Sequence, residues 1–343
     1  MNETELSVEQ FDAALAALGT RYRLYAPVRF AGQGRLADTD VVRYAEVTAF
    51  AQIEFDRKSD FSPKEVLLPV SQPMLEYTAA GGWVDAAADD GKGILIFLRA
   101  CDIHAMQRLD TIYLHNGPAD PWYQRLRGRT KFILIECRQS FENCFCVSMG
   151  CNRTDDYAMA VRAAEGAVLV QLRDEQLRYA IPPGARPAAF TPHFVDADTT
   201  AVELPDEARL AAAVPAGLFE HDFWKEYSQR CIACGRCTVV CGDCTCFTTV
   251  DAPKDGHAGV IERRRVWASC HLDRFTDMAG GHEFRKDYGS RMRFRVMHKI
   301  YDYPRRFGQP MCTGCGRCDS ICPEYISLSS CINKLSALVK EEF

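Results

Sequence analysis

Two stretches of the chain repeat one cysteine spacing. Cys231-Ile232-Ala233-Cys234-Gly235-Arg236-Cys237-Thr238-Val239-Val240-Cys241 reads C-x2-C-x2-C-x3-C, and Cys312, Cys315, Cys318 and Cys322 repeat it with Pro323 following. Three thiolates at an even pitch with a fourth close behind suit the corners of an iron–sulfur cubane. Zinc also takes four thiolates, but its sites pair two C-x2-C units across a gap, without a third cysteine at the same pitch. The runs therefore predict two [4Fe–4S] clusters, each a one-electron carrier. In paired runs of this kind the fourth cysteine ligates the other cluster. One cluster is thus expected on Cys231, Cys234, Cys237 and Cys322, the other on Cys312, Cys315, Cys318 and Cys241. Gly242 stands where proline usually follows, and Cys244 and Cys246 compete for the place of Cys241. Gly235, Gly314 and Gly316 permit the tight turn and the approach of amide N–H groups, and Pro323 is expected to start a helix.

The composition narrows what such clusters are for. The chain has 343 residues and 17 cysteines, with a net charge of −5, 47% hydrophobic and 25% charged residues. That is a core-forming protein of two domains by length, without the basic excess of a nucleic-acid binder. Its longest apolar runs fall far short of the ~18 residues of a membrane span. The acidic, polar start MNETELSVEQ is no secretory signal, so this thiol density points to metal ligation in a reducing cytoplasm. No G-x-G-x-x-G follows a strand, and neither a P-loop nor G-x-S-x-G is present. A chain that carries electrons without a visible source or sink reads as a relay within a complex, with no catalytic residue of its own.

The elements that must position the cysteines divide unevenly. Residues 1–220 read as an N-terminal α/β domain. Ser7 and Gln10 form a capping box ahead of Phe11, Leu15 and Leu18, and Ser62-Pro63-Lys64-Glu65 signals another helix start. Ile94–Leu98, Phe132–Ile135 and Val168–Leu172 are strands, with the amphipathic stretch Ile103–Leu114 between the first two implying a parallel pair. Ala180 to Pro215 reads as a linker. Residues 221–343 read as a mainly helical, ferredoxin-like dicluster domain with a long insertion, 242–311, and a closing helix, Glu324–Glu342, striped by Leu328, Ile332, Leu335 and Leu338.

Cys101 and Cys137 follow adjacent strands, where ligands of open α/β sheets gather. With Cys144 and Cys146 they form the expected site of a third [4Fe–4S] cluster. Cys151, Cys244, Cys246 and Cys270 read either as a further metal or alternative ligand set or, more simply, as buried thiols near the clusters, and Cys331 as a buried thiol of the closing helix. Arg263, Arg264 and Arg265, then Arg291, Arg293, Arg295, His298 and Lys299, concentrate positive charge in the insertion. They are expected either as solvated surface or as an offset to thiolate-ligated clusters. Two rival readings compete with the relay. In one the chain itself holds sirohaem, which leaves Cys234 and Cys315 unexplained; in the other it is a structural zinc protein.

Several passages together carry a resemblance. They are Ser62–Glu65, Arg99-Ala100-Cys101-Asp102, Glu142-Asn143-Cys144-Phe145-Cys146-Val147-Ser148-Met149-Gly150, Trp267-Ala268-Ser269-Cys270, Met278-Ala279-Gly280-Gly281-His282 and both cysteine runs. The chain resembles the iron–sulfur subunit of the anaerobic sulfite reductases nearly end to end, and is similar to the iron–sulfur β subunit of cytosolic nickel–iron sulfhydrogenases. The first resemblance implies a complex that reduces sulfite to sulfide, in which this subunit passes electrons from a flavin/NADH-binding subunit to a sirohaem subunit. The second implies an alternative, the iron–sulfur β subunit of a nickel–iron hydrogenase.

Overall fold

Gly-Ile-Leu-Ile-Phe-Leu is apolar at every position after its glycine, so as a strand it must be covered on both faces. It forms β6 (Gly93–Leu98) of an eight-stranded sheet, in a computed structural model that describes residues 2–34, 38–78, 81–86 and 90–343. The other strands are β1 (Glu3–Ser7), β2 (Tyr22–Phe30), β3 (Val41–Glu46), β7 (Thr130–Ile135), β8 (Met159–Ala164), β9 (Ala167–Leu172) and β10 (Arg186–Pro187), in the order β10-β1-β9-β8-β7-β6-β2-β3. The run β2, β6, β7, β8 is parallel, and the outer pairs are antiparallel. Leu95 and Phe97 face a core shared with Phe11, Leu15 and Leu18 of α1 (Val8–Gly19). Ile94, Ile96 and Leu98 face the other core, against Ile103, Met106 and Leu109 of α2 (Ala100–His115) and Tyr123 of α3 (Pro121–Arg127). Ser7 caps α1 with the expected box: Gln10 N–H donates to its Oγ at 3.2 Å and the Gln10 side chain accepts from Ser7 N–H at 2.9 Å.

A second sheet has the order β11-β12-β4-β5, from β4 (Ser71–Tyr77), β5 (Trp83–Asp85), β11 (Phe247–Pro253) and β12 (Ile261–Trp267). The chain thus forms two units, 1–139 with 153–195 and 247–267, and 140–152 with 196–246 and 268–343. This differs from a boundary at 220 and a self-contained insertion at 242–311, because alternating segments of the chain contribute to each unit. The second unit holds α4 (Glu207–Ala213), α5 (Lys225–Arg230), α6 (Arg236–Val239), α7 (Tyr288–Met297), α8 (Tyr303–Phe307), α9 (Arg317–Ile321) and α10 (Leu328–Glu342). Helix α10 buries Leu328, Ile332 and Leu335 of the expected stripe, with Val339 taking the inner place in the last turn and Leu338 only half-buried.

Two helix starts are shorter or later than the sequence suggests. Ser62 does accept from Lys64 N–H, but only the single 3-10 turn Pro63–Val66 succeeds it. Pro323 starts no helix: Tyr325 takes a left-handed φ of 52° there, and α10 begins only after Ser327, whose side chain accepts from Ser330 N–H. Asp319 fixes that start, accepting from Leu328 N–H at 2.7 Å and from the Ser327 and Ser329 hydroxyls.

Candidate iron–sulfur centre

The two cysteine runs fold alike. Gly235 (φ 70°, ψ −1°) precedes α6 and Gly316 (φ 69°, ψ 0°) precedes α9, each in the left-handed region that puts the third cysteine on the first turn of a short helix. Helices α6 and α9 pack together. The repeat is not perfect: Gly314 in the second run corresponds to Ala233 in the first, and Ala233 also takes a positive φ of 53°.

One cavity is lined by Cys231, Cys234, Cys237 and, from the other run, Cys318 and Cys322. Cys241 of the first run is within electrostatic reach of Cys312 and Cys318, and of Cys237 in its own run. Thiols of the two runs thus lie side by side, as a crossed exchange of fourth cysteines requires. All seventeen cysteines are free thiols. Among the described residues no three His, Cys, Asp or Glu side chains close on a point as one metal ion requires. A cubane has its ligands at separate corners, so its thiols stand wider than those around a single ion.

Cations threaded between the thiols mark the centre as more than a buried patch of cysteine. Arg295 is wholly buried, and its guanidinium would lose its proton more easily there, but Cys237, Cys318, Cys244 and Cys241 around it hold it well above the ordinary range. Lys299 donates to Cys241 Sγ at 3.4 Å and to Asp243 Oδ2 at 3.0 Å. Burial would lower its pKa, yet Asp243, Cys241, Cys244 and Cys312 keep it well above the usual lysine value. Burial in turn pushes the Cys237, Cys312 and Cys318 thiols up, so without further positive charge they would stay protonated.

Two polar nitrogens lie buried in this environment, while His271 Nδ1 stands 3.9 Å from Cys231 Sγ. His271 Nε2 and Arg295 Nε are buried with no hydrogen-bond partner among the described residues, and both side chains line the cavity of the first four cysteines. Burial, then Arg295 and Arg291, pull His271 down to about 3, so the ring is neutral and keeps one N–H. An orphaned donor costs about 1–3 kcal/mol, and thiolate or sulfide sulfur is an acceptor that would satisfy it. The residues present fit the group.

The other expected site residues are distributed between the units. In the first, Cys101 lies in the opening turn of α2 just beyond β6, and Cys137 lies just beyond β7, beside β6 in the sheet. Arg99 donates to Cys137 Sγ at 3.6 Å and to Glu136 C=O at 2.9 Å. In the second, Cys144 and Cys146 ride on a segment laid along the second run: Phe145 N–H donates to Gly314 C=O at 2.8 Å, and Cys144 Sγ to Cys315 C=O at 3.5 Å. A Cβ on Gly316 would stand 2.1 Å from Asn143 O, whereas one on Gly308, also left-handed, would meet nothing. Gly316→Ala is accordingly expected to cost ~2 kcal/mol or more and to release iron from the second cluster, against ~1 kcal/mol for Gly308→Ala. Thermal unfolding under anaerobic conditions measures the difference as a Tm lowered by about 5 °C or more for Gly316→Ala.

The arginines separate by role. Arg263 pairs with Asp251 across the hairpin at 2.7 Å, and buried Arg265 bonds Asp120 at 2.7 Å, so that run serves the second sheet and not the centre. Arg291 is engaged by Glu283 at 2.8 Å and by Asp273. Of the corresponding pair inside the cysteine runs, Arg317 is buried and Arg236 exposed.

Known proteins divide along the same line. Residues 230–326 match the 4Fe-4S dicluster domain family, and the chain carries that two-cluster domain. Along its whole length the chain is similar to the sulfhydrogenase 2 subunit beta of Pyrococcus furiosus, with 29% identity over 343 residues, 95% of this chain and 96% of the relative.

Proposed function

We propose that the chain is the electron-transferring iron–sulfur subunit of an oxidoreductase complex, of the β-subunit kind found in nickel–iron sulfhydrogenases. The observation that carries this is the repeated run of four cysteines inside a 4Fe-4S dicluster match, with buried Arg295 and Lys299 beside the thiols. The ligand sets in this reading are Cys231, Cys234, Cys237 and Cys322 for one cluster, and Cys312, Cys315, Cys318 and Cys241 for the other, in a ferredoxin-like arrangement. Cys101 and Cys137 belong to the first unit and Cys144 and Cys146 to the second, so the further set of four rests on the sequence alone. When bound, the clusters supply single-electron oxidation and reduction. The protein's own part is positional and electrostatic. The left-handed glycines bring amides near sulfur, burial keeps water out, and Arg295, Lys299 and the neutral His271 stabilise the reduced, more negative state. Free thiols at this density fit a reducing compartment, so a cytoplasmic complex is the expectation.

Pairing with flavin and sirohaem subunits for sulfite reduction is the less supported reading, because the relative spanning nearly the whole chain is a sulfhydrogenase subunit. Anaerobic purification with identification of the accompanying chains decides between them. A nickel-containing partner supports the proposal. A sirohaem protein in its place transfers the chain to sulfite reduction, and recovery as a lone protein with no redox partner overturns both.

A further inference from the structure

Three of the second unit's cysteines outside the crossed sets, Cys244, Cys246 and Cys270, lie near one another. The thiols of Cys246 and Cys270 are in hydrogen-bond contact, and Cys244 lies within electrostatic reach of both Cys270 and Cys241, to which it also hydrogen-bonds. The backbone holds the two segments together, with Ala268 N–H donating to Cys246 C=O at 3.0 Å. The spacing Cys241-x2-Cys244-x-Cys246 then continues the first run directly into this group. Two cations face it: Arg285 stands near Cys270 and Cys246, and Arg295 near Cys244. Cys270 is 5% exposed, Cys244 and Cys246 half-buried.

Ordinary buried thiols do not need this company. A core cysteine behaves as a small hydrophobe; fully buried Cys331 of α10 has the Tyr227 hydroxyl as its hydrogen-bond contact. Three thiols drawn from two chain segments with buried or half-buried guanidinium groups beside them have the character of the centre next door. We propose that Cys244, Cys246 and Cys270 hold a further iron–sulfur cluster, adjacent to the one that takes Cys241. It has three thiolate ligands and one position open to a ligand other than cysteine. Each thiol gives up its proton to solvent as iron binds, and the arginines balance part of the charge. The contact between Cys241 and Cys244 makes the two ligand sets continuous, so the site extends the electron path and does not stand apart from it. This goes beyond the choice of complex, since it holds whichever partner the chain serves.

The test uses the full chain, purified and reconstituted anaerobically with iron and sulfide. Cys246→Ser and Cys270→Ser are each expected to lose about three or four irons per chain with matching labile sulfide, while the EPR signals of the dicluster domain remain after dithionite. Cys331→Ser is the control and keeps the full count. Unchanged iron and sulfide in both ligand variants overturns the proposal, as does loss of zinc without sulfide. Should either variant fail to fold, alkylation of the unaltered protein decides the matter. Half-buried Cys246 is expected to resist labelling until iron is chelated and to react afterwards; labelling before chelation refutes the site.

Discussion

Cys322→Ser is expected to remove the cluster of the other run, leaving about four fewer irons per chain while the cluster of its own run survives. The reason is the cavity that joins Cys322 to Cys231, Cys234 and Cys237. Pairs of substitutions make the crossing visible, because residues that act as one site are non-additive and independent sites add. Cys231→Ser with Cys322→Ser should lose no more iron than either alone, about four. Cys312→Ser with Cys322→Ser should lose about eight, although both positions lie in the same short stretch of sequence. If that second pair loses only four, each run closes on itself and the exchange of corners is wrong. Iron and labile-sulfide assays on anaerobic preparations give the count directly.

Lys299→Met is the second change with a large expected effect. Lys299 and Asp243 are both almost wholly buried, at 1% and 2% exposure, and the Cys241 thiol contacts them both. Burial would raise the Asp243 carboxyl, but Lys299 holds it below the usual range. Removing the ammonium strands a buried carboxylate, a loss of about 3–5 kcal/mol for a pair of this kind. The Tm of the reduced, anaerobic protein should fall by ~10 °C. Replacing the pair together, Lys299→Met with Asp243→Asn, should recover much of that loss, because no unpaired charge is left inside. Equal destabilisation by the single and the double change would show that the ion pair does not stabilise this centre. A cluster more easily lost from Lys299→Met than from the double variant would add that the lysine also balances thiolate charge.

The legible part of this protein is the part written in strong periodicities. Ile94–Leu98 and Phe132–Ile135 are apolar on both faces, and buried parallel strands have no other sequence signature. The cysteine runs are equally plain, since their chemistry fixes both residue type and pitch. Strands β4, β5, β11 and β12 carry no comparable signal. Phe247–Pro253 is exposed at nearly every position, so the alternation that betrays a half-buried strand is missing. Without that hairpin, nothing in the sequence brings Cys270 beside Cys246. A subtler signal lies in the basic run of the insertion. Arg291, Arg295 and Lys299 recur every four residues, one face of a helix, and α7 with the turn after it directs that face toward acids and thiols. The capping signals at Ser62 and Pro323 fail for a different reason: a cap fixes where a helix can begin, and the residues beyond it decide whether the helix continues.

The four-stranded sheet has a lasting consequence for how the chain is made. Its two early strands are synthesised long before their partner, and Arg265 reaches Gln72 over a separation of 193 residues. Pairing so remote in sequence carries a high loop-closure cost and is slow. Half of that sheet must therefore wait, exposed at one edge, until the ribosome has released residue 267, by which time the first cysteine run is already outside. The metal centre waits longer still, for Cys312 to Cys322, and no single cut in the polypeptide yields either unit whole.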